Sequence, residues 1–524
     1  MSRNRDRRIL QTSGAQWYWY NDCDCDSPTN WGAYGATVDG EPLDLEKTYR
    51  VVTTNFLAGG QQGWVTFAEG TNRWDTCYDQ QEGVNEYIQW YNANVGPIDH
   101  QIEGRIVKMD KLITILHTND VHGRFPTDEY RGTPQGMTYL ASYIKAERAK
   151  NPNTLLLDAG DTSQGNAFAQ YFRNSTPNPI VGGMNLLEYD VMTLGNHEFN
   201  FGPMTFATML GQVDFPLLGA NVEDDGTYGF ITDNVQDYIT LDVGGVDVAI
   251  VGLTNPWVPS YELPSNIEGL TFSKATATAA TLVPQIEAAE EPDLLIALTH
   301  IGYQPYRGDT DCDEELAKQV PGIDVIVGGH SQTRLNPAVM VASDVNPEGT
   351  LVAQAGRYAQ YVGKVTVGLV GDGMGGYDVV YREGHLLPAG DVDPDPDMVA
   401  YLEPFEDALE AYTSTEIGQT TAPLDALIAY TEETTGANVQ TDAAVWELTK
   451  NRIAVDFYLS GAMSNKKVAD EATAGNPVTL TVSDMYTLMP YENSLVVMQM
   501  NGPQIKTILE RAYRNYYYYK YVPG

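Results

Sequence analysis

Basic residues are scarce in this chain of 524 residues, in which 31 lysines and arginines stand against 70 aspartates and glutamates, a formal net charge of −39. A surface of that sign repels phosphate backbones and anionic lipids, so we expect no nucleic-acid partner and no attachment to a membrane surface. Long apolar runs are also missing, and none approaches the roughly 20 residues needed to span a bilayer. The composition therefore excludes several classes of protein before any motif is considered.

Cysteine is equally rare, with only Cys23, Cys25, Cys77 and Cys312. Four cysteines are too few for a disulfide-rich scaffold, and their spacing matches no zinc ribbon. We interpret the segment around Cys23 and Cys25 as an acidic surface loop, in which either cysteine could bridge Cys77. The first ten residues, MSRNRDRRIL, contain no apolar segment, so we expect no signal peptide here. Few lysines and 33 tyrosines nevertheless favour a secreted, periplasmic or cell-surface protein.

Apolar residues make up 43% of the chain, enough to form true cores, and its length predicts two or three domains. Five short apolar runs predict buried strands, and each run ends in a cluster of residues of metal-binding type. These runs begin at Leu112, Leu155, Val191, Leu294 and Ile323. Helix-length stretches such as 136–149 lie between them. This pattern predicts an α/β domain with its site at the strand ends, where such sheets bind ligands.

The C-terminal third has a different pattern. Residues 388–397 (PAGDVDPDPD) are rich in proline and aspartate and predict a linker. Apolar residues from Met398 to Tyr412 then recur at helical spacing, which predicts an amphipathic connecting helix. A domain of mixed α and β character is predicted from Ile417 onwards, with strands at 479–482 and 494–500 and a helix at 503–512. The tyrosine-rich residues 516–519 are compatible with a packed segment or a loop.

Histidine is the most informative residue type, because five of the seven histidines lie at the predicted strand ends. A single histidine is more often an ordinary core or surface residue, but five separate strand ends are not expected to gain ligand types by chance. The candidate metal ligands are Asp120, His122, Asp161, Asn196, His300, His330 and Gln332. Seven ligands are too many for one tetrahedral ion, so we predict two divalent ions, about 3.5–4 Å apart, that share a carboxylate.

The donor atoms limit the metal and the chemistry. Nitrogen and oxygen ligands without a thiolate suit Zn²⁺, Mn²⁺, Fe or Co, and do not distinguish among them. Two such ions lower the pKa of a shared water and neutralise charge on the attacking and leaving oxygens of an in-line displacement. The predicted reaction is therefore attack of metal-activated hydroxide on a phosphate ester.

The five strand-end segments together resemble a known signature. They read ILHTNDVHGRF, DAGDTSQGN, TLGNHEFNFG, ALTHIGY and VGGHSQTRL. In this combination they resemble the 5′-nucleotidase/UDP-sugar hydrolase/2′,3′-cyclic phosphodiesterase family of metallophosphoesterases. The resemblance implies a calcineurin-like βαβ sandwich of α/β class, joined to an α+β substrate domain of the 5′-nucleotidase C-terminal type.

The resemblance also implies roles for individual residues. His197 would stabilise the transition state or protonate the leaving oxygen, and Asn200 stands where the family has the aspartate that pairs with this histidine. Asp161 would bridge the two ions. One ion would be held by Asp120, His122 and Gln332, and the other by Asn196, His300 and His330.

Both chain ends resemble parts of the family's substrate domain, in an unusual order. Residues 417–510 are similar to its first half, and residues 9–60 with 103–106 are similar to its second half. The resemblance therefore implies a circular permutation, with an unrelated N-terminal domain as the alternative. The implied segments are 1–110 and 417–524 for the substrate domain, 111–390 for the catalytic domain and 391–416 for the linker and connecting helix.

The family's substrate domain sandwiches a nucleobase between two aromatic side chains, which correspond here to Tyr491 and Trp64. Asn493 lies in the same motif as Tyr491. Each stacked aromatic would contribute about 1–3 kcal/mol of binding energy. The implied partner is a small phosphoester, in particular a nucleotide. Without the motifs, two ordinary packed aromatic residues would be an equally good interpretation.

Three departures from the family pattern affect the expected chemistry. Asn200 can orient His197 but cannot stabilise an imidazolium as a carboxylate does. Glu432 and Ser464 replace phosphate-binding arginines, and Lys466 or Lys467 could act as point charges or simply form a solvated turn.

These departures leave three functions open. The first is a nucleotide phosphoester hydrolase. The second uses the same two-metal site on phosphodiesters such as 2′,3′-cyclic nucleotides, or on non-nucleotide phosphoesters. The third is a metal-containing binding protein with weakened catalysis.

Overall fold

The structure is a computed structural model that describes residues 13–21, 31–60, 65–98, 105–305, 310–461, 464–489 and 495–521. The chain divides into two compact units. One contains Met1–Leu112 with Gly368–Val370, and the other contains Ile113–Val367 with Gly371–Gly524. Within the described ranges, no helix combines the length and the apolar character needed to cross a membrane.

The smaller unit contains a four-stranded sheet. Its strands lie in the order Glu41–Pro42, Trp31–Val38, Ala15–Asn21 and Ile106–Lys108. Ala15–Asn21 runs antiparallel to Trp31–Val38 and parallel to Ile106–Lys108. The unit also contains the helices Asn55–Ala58 and Gln80–Asn94 and the 3₁₀ helix Val65–Glu69.

The larger unit begins with a seven-stranded sheet. Its strands lie in the order Val235–Gln236, Leu217–Leu218, Val191–Thr193, Thr154–Asp158, Lys111–Thr118, Tyr361–Gly371 and Tyr377–Pro388. The central strands pair in parallel, so their carboxyl ends meet at one edge of the sheet. The predicted runs at Leu112, Leu155 and Val191 are thereby confirmed as strands. Their burial on both faces explains why they read as continuous apolar runs.

A second sheet of six strands follows in the same unit. Its order is Tyr238–Asp242, Asp247–Leu253, Leu294–Thr299, Val325–Val327, Thr350–Ala353 and Val339–Val341. The strands Leu294–Thr299 and Val325–Val327 confirm the other two predicted runs. The two sheets meet where the N–H of Ala220 donates to the carbonyl of Gly252 at 2.8 Å. The mixed α/β architecture expected from the motifs is present.

Helices cover these sheets and complete two apolar cores. One core joins Leu116, Leu156 and Met192 of the seven-stranded sheet to Leu140 and neighbouring helical residues. The second core joins the six-stranded sheet to the helices Ala275–Glu290 and Asp313–Gln319. Before residue 395 the described part of this unit also contains the helices Met137–Lys150, Ala167–Phe172, Pro179–Leu186, Gly202–Leu210, Ile231–Asn234 and Val258–Tyr261, with 3₁₀ turns at His197–Phe199, Pro264–Asn266 and Ala389–Asp391. Short ribbons pair Asp128–Tyr130 with Thr133–Gln135 and Val222–Asp224 with Leu270–Phe272.

The predicted amphipathic helix is formed by Pro396–Thr413. Asp395 caps it by accepting the N–H of Met398 at 2.9 Å. Met398 and Leu402 are fully buried in the first core. The apolar residues spaced along the sequence therefore form the face of this helix that packs on the core. The predicted amphipathic helix is confirmed.

The described residues of the C-terminal region form short strands and three helices. Glu416–Thr420 pairs with Val478–Thr481, and Leu424–Asp425 pairs with Lys467–Val468. The helices are Thr435–Lys450, Val482–Leu488 and Gly502–Tyr521, so the predicted helix is present and longer than expected. The strand predicted at 494–500 is wrong for the described residues 495–500, which are neither helix nor strand. Alternating apolar residues form a strand only when a neighbouring strand takes up their backbone hydrogen bonds.

Candidate metal centre

The strand ends of both sheets bring the predicted ligands into one place. Asp120 and His122 follow Lys111–Thr118, and Asp161 follows Thr154–Asp158. Asn196 and His197 come after Val191–Thr193, His300 comes after Leu294–Thr299, and His330 and Gln332 come after Val325–Val327. Parallel strands direct the loops that follow them to the same edge, which is why residues far apart in sequence meet here.

Five of the seven predicted ligands occupy the left-handed backbone region. Their φ angles are 50° for Asp120, 51° for His122, 58° for Asp161, 71° for His330 and 54° for Gln332. This region is unfavourable for side chains with a Cβ, at a cost of roughly 1–3 kcal/mol each. Such strain concentrates at functional sites, where the surrounding structure holds it in place.

Two groups of ligand atoms share Asp161. One consists of Asp120, His122 and Asp161, and the other of Asp161, His300 and His330. Within each group the ligand atoms lie within 4.8 Å of one another. A carboxylate common to two clusters is the arrangement expected of a bridge between two ions.

Hydrogen bonds to neighbouring residues orient the side chains of the first group. The Nδ1 atom of His122 donates to the carbonyl of Gln164 at 2.8 Å, which leaves Nε2 as an acceptor, and the NH₂ of Gln332 lies 3.0 Å from it. That Nε2 lies 3.8 Å from Oδ1 of Asp120. The other carboxylate oxygen, Oδ2, accepts hydrogen bonds from Asn119 Nδ2 at 2.7 Å and from the N–H of His330 at 3.0 Å. Asp120 is therefore held by one oxygen while the second remains available.

The second group has the same arrangement. His300 is fully buried, and its Nδ1 atom donates to the carbonyl of Ala159 at 2.5 Å. Its Nε2 atom lies 3.0 Å from Oδ2 of Asp161, in a geometry that does not form a hydrogen bond. Asn196 accepts through Oδ1 from Nδ1 of His330 at 2.8 Å. Nε2 of His300 and the carboxylate of Asp161 thus face each other across the space where a cation would lie.

The buried atoms fit a metal site. Oδ1 of Asp120 and Nε2 of His300 are buried and form no hydrogen bond in the described structure. An unsatisfied buried carboxylate oxygen is costly, and a bound cation would remove that cost. The donor set contains only nitrogen and oxygen, which suits a divalent transition metal. The residues present therefore fit divalent ions.

The pKa values of the candidate ligands differ in what they imply. Burial would lower the pKa of His300, but Asp161 and Asp120 raise it to about 10, so a metal would have to displace a proton from this imidazole. Burial lowers the pKa of His122 and of His330 to about 4, so both are neutral near pH 7, the form that binds metals. Burial would raise the pKa of Asp161, but His300 and His197 hold it well below its ordinary value. Burial raises the pKa of Asp120 to about 7, although His300 lowers it, and the neighbouring carboxylate of Asp161 adds to the upward shift.

Gln332 lies beside the first group through its amide. Its Nε2 atom is 3.0 Å from Nε2 of His122, and its Oε1 atom accepts from Arg357 at 2.9 Å. The guanidinium of Arg357 lies 4.7 Å from the ring centre of Tyr358, and that of Arg124 lies 5.4 Å from the same ring. Tyr358 meets the His122 ring edge-on at 5.6 Å. Two arginines thus lie close to the candidate metal centre.

Glu198 is a supporting residue to which sequence reasoning assigned no role. Its buried carboxylate accepts four backbone N–H groups from two loops. These belong to Gly195 at 2.8 Å, Asp161 at 2.9 Å, Thr162 at 3.0 Å and Ser163 at 3.2 Å. The loops approach so closely that a Cβ on Gly160 would lie 2.5 Å from the nitrogen of Gly195. Glycine at both positions, and Glu198 between the loops, fix the backbone that carries Asp161.

His197 and Asn200 lie at the edge of this centre. Nδ1 of His197 donates to Oδ1 of Asn200 at 2.6 Å, and Nε2 of His197 lies 3.9 Å from Oδ2 of Asp161. The His197 side chain is one-third exposed. Burial lowers its pKa and Asp161 raises it, with a net upward shift. The imidazole therefore lies between the candidate ligands and solvent.

The predicted substrate residues Trp64, Tyr491 and Asn493, with the two N-terminal cysteines Cys23 and Cys25, lie outside the described residues. Cys77 is exposed and Cys312 is buried.

The positions that replace the family's arginines have contacts of their own. Ser464 is buried, Glu432 is exposed, and Lys467 lies 2.5 Å from Oδ1 of Asp470 and 3.8 Å from Oδ2 of Asp425. Lys467 is therefore already paired with two carboxylates.

Comparison with known families gives matches in three segments. Calcineurin-like phosphoesterases match residues 113–334, and the 5′-nucleotidase C-terminal domain matches residues 2–69 and 416–522. The first match covers all five strand ends. The second covers segments on both sides of it.

Individual proteins are similar over most of the chain. A trifunctional nucleotide phosphoesterase of Bacillus subtilis is 29% identical over 436 residues, which cover 77% of this chain and 28% of that protein. A 2′,3′-cyclic-nucleotide 2′-phosphodiesterase/3′-nucleotidase of Haemophilus influenzae is 28% identical, covering 77% of this chain and 67% of that protein. The crystal structure of a 5′-nucleotidase precursor from Thermus thermophilus matches with a TM-score of 0.58 and 26% identity, covering 78% of this chain and 79% of the other.

Proposed function

Because the chain belongs to the metallophosphoesterase family that joins a calcineurin-like phosphoesterase domain to a 5′-nucleotidase C-terminal domain, we propose that it hydrolyses nucleotide phosphoesters at a pair of divalent ions. The predicted family and fold class are confirmed by the two domain matches. The chain is a metal-dependent phosphoester hydrolase. The number and identity of the ions, the ligand assignment and the substrate belong to the proposal.

The observation that carries the proposal is the sharing of buried Asp161 by two ligand groups. Asp161 would bridge the two ions, which could be Zn²⁺, Mn²⁺, Fe or Co. When bound, such a pair lowers the pKa of water and offsets negative charge on the reacting phosphoryl group. One ion would be held by Asp120, His122 and Gln332, and the other by Asn196, His300 and His330.

His197 acts on the ester from the edge of this centre. Its Nδ1 proton is held by Asn200 at 2.6 Å, so Nε2 is the atom that faces a substrate. In the imidazolium form, which its raised pKa favours, Nε2 also carries a proton, and this proton stabilises charge on the phosphoryl oxygens or passes to the leaving oxygen. Because Asn200 is neutral, we expect a smaller contribution from this histidine than a carboxylate partner would allow.

The substrate class is supported by the relatives, whose names specify nucleotide phosphoesters. The base stacks between Tyr491 and Trp64, with Asn493 beside it. The substrate domain that carries these residues is assembled from 1–110 and 417–524, as a circular permutation, around a catalytic domain over 111–390 and a connection over 391–416. The match of one domain family to both chain ends supports this assembly.

A diester substrate is the second candidate, and a specific observation favours it. Glu432 is exposed and Ser464 is buried where the family has phosphate-binding arginines. A phosphomonoester carries close to two negative charges at neutral pH, whereas a diester carries one, so a diester needs fewer cations. A 2′,3′-cyclic nucleotide, or a non-nucleotide ester, is therefore compatible with this site. A metal-containing binding protein with weakened catalysis is the third candidate.

The experiment that tests these functions measures metal content and phosphoester hydrolysis in one sample. Its substrates are AMP, 2′,3′-cyclic AMP, a sugar phosphate and bis(p-nitrophenyl) phosphate. We expect Asp161→Ala to abolish turnover of every substrate hydrolysed by the wild type, while the exposed Asp344→Ala serves as a control. Unchanged turnover in Asp161→Ala would remove the proposal. Two bound ions without hydrolysis of any ester would favour the binding protein.

The base-stacking assignment has its own test. Trp64→Ala and Tyr491→Ala should raise KM for AMP and leave hydrolysis of bis(p-nitrophenyl) phosphate unaffected, because that ester has no base. Loss of a stack worth about 1–3 kcal/mol corresponds to roughly a 5- to 150-fold rise in KM. The exposed Trp74→Ala provides a matched control. An equal effect on both esters would contradict the assignment.

The location of the protein is also part of the proposal. The low lysine content and the 33 tyrosines support a secreted, periplasmic or cell-surface enzyme. Fractionation of the native cells, with detection of the chain in each fraction, tests this. Recovery in the cytosol alone would contradict it.

A further inference from the structure

We propose that Glu262 is a positioning residue for His197 and acts through the amide of Asn200. This inference rests on the proposed function, since it assigns how the histidine of that reaction is oriented. It concerns a carboxylate 62 positions from Asn200 in sequence. The result is a His197–Asn200–Glu262 relay in place of a direct histidine–carboxylate pair.

The contacts form a continuous chain. Nδ1 of His197 donates to Oδ1 of Asn200 at 2.6 Å. The amide nitrogen of Asn200, Nδ2, donates to Oε1 of Glu262. Asn266 closes the network, because its Nδ2 donates to Oε2 of Glu262 at 3.2 Å and to the backbone carbonyl of Asn200 at 2.6 Å. Both oxygens of Glu262 are therefore occupied on the side of Asn200.

The chemistry of the groups determines the direction of each bond. An asparagine amide can present either its oxygen or its NH₂ to a histidine, and the two choices favour different tautomers. A carboxylate only accepts hydrogen bonds, so Glu262 requires the NH₂ of Asn200. The amide oxygen is then left facing His197, and the proton of His197 stays on Nδ1. The Nε2 atom consequently points towards the candidate metal centre.

The segment that carries Glu262 also borders the other side of the centre. Glu262 ends the short helix Val258–Tyr261. Tyr261 lies almost parallel to the His330 ring, with ring centres 6.1 Å apart. The same segment therefore contacts both a candidate ligand and the support of His197. This placement makes Glu262 part of the wall of the site rather than a distant surface acid.

The test compares Glu262→Gln in two backgrounds. In the background that keeps Asn200, the glutamine of Glu262→Gln can accept or donate a hydrogen bond. The orientation of the Asn200 amide is then no longer fixed. We expect kcat to fall by about 10- to 100-fold, with KM, metal content and thermal stability unchanged. The exposed Glu268→Gln in the same segment is the matched control and should leave kcat unchanged.

In the Asn200→Asp background, Glu262→Gln should no longer lower kcat. Asp at position 200 binds His197 directly, and its carboxylate then faces the carboxylate of Glu262. Two adjacent carboxylates repel each other, and Glu262→Gln removes this repulsion. The substitution should therefore raise kcat or leave it unchanged in that background. A merely structural role for Glu262 would lower kcat equally in both backgrounds.

The outcomes separate this inference from the function on which it rests. Hydrolysis by the wild type together with an unchanged kcat in Glu262→Gln would overturn the relay alone. An equal loss of kcat in both backgrounds would also overturn it. A wild-type protein that holds two ions and hydrolyses no ester would overturn the function and the relay together. The relay is supported if Glu262→Gln lowers kcat in the wild-type background and does not lower it in the Asn200→Asp background.

Discussion

Oε2 of Glu198 accepts the backbone N–H of Asp161 at 2.9 Å, so a carboxylate that is no candidate ligand fixes the loop that carries the proposed bridge. The φ angle of Asp161 is 58°, an unfavourable conformation for an aspartate. Three further N–H groups converge on the same carboxylate. The strain at Asp161 is thus offset by hydrogen bonds from outside the ligand set.

We expect Glu198→Gln to loosen this loop. Glutamine presents an NH₂ group to at least one of the N–H donors, which leaves buried donors unsatisfied. The free energy of unfolding should fall by about 1–3 kcal/mol, and metal affinity should fall by about 10- to 100-fold. Denaturation curves and metal titration measure the two effects. Glu223→Gln, at an exposed strand position, is the control, and unchanged metal affinity in Glu198→Gln would contradict the prediction.

Metal removal should lower thermal stability. The site buries Asp120 Oδ1 and His300 Nε2 without hydrogen-bond partners, so bound ions stabilise only the folded chain. At a free ion concentration of 100 times Kd the gain is about 2.7 kcal/mol. Chelator-treated protein should therefore show a higher Tm when Mn²⁺ or Zn²⁺ is added. This increase should vanish in Asp161→Ala and persist in Asp344→Ala. A full increase in Asp161→Ala would exclude Asp161 as the shared ligand.

Arg357→Ala should strengthen the binding of one ion selectively. Arg357 donates to Oε1 of Gln332 at 2.9 Å, the atom with which an amide binds a metal, and Arg357 has no contact with the second ligand group among the described hydrogen bonds. We expect the variant to retain more metal per chain after dialysis, because the freed oxygen can turn towards the ion and a neighbouring positive charge is removed. Elemental analysis gives the ratio. Arg334→Ala is a matched control, because Arg334 also lies over a tyrosine, Tyr361, at 4.9 Å. Equal ratios in the two variants would contradict the selective role.

Leu402→Ala should destabilise the larger unit through a cavity. Leu402 is fully buried where the helix Pro396–Thr413 packs on the first core. Removing its side chain should reduce the free energy of unfolding by about 2–5 kcal/mol. Val399→Ala, on the exposed face of the same helix, should cost about 0.5 kcal/mol or less. Urea unfolding followed by tryptophan fluorescence compares them. Similar urea midpoints for the two variants would show that the apolar face of this helix does not contribute to stability.

Several structural features could be predicted because they depend on short-range patterns. The run Leu294–Leu298 is apolar at every position, as a strand buried on both faces must be, and His300 follows at its end. The spacing from Met398 to Tyr412 indicates a helix with one buried face. In contrast, the alternation at 495–500 predicted a strand that is not formed, since pairing depends on a partner that local sequence does not specify.

The amino-acid sequence by itself determined the kinds of donor at five strand ends, and therefore the metal-dependent chemistry, because parallel strands send the loops that follow them to a common edge. Only the tertiary structure decided which atoms remain free at that edge. Glu198 supports a loop that lies 37 positions away, and Glu262 directs an amide 62 positions away, through hydrogen bonds whose partners no local pattern reveals. Hydrogen bonds between loops depend on where the chain returns in space, and the packing of the two sheets sets that position.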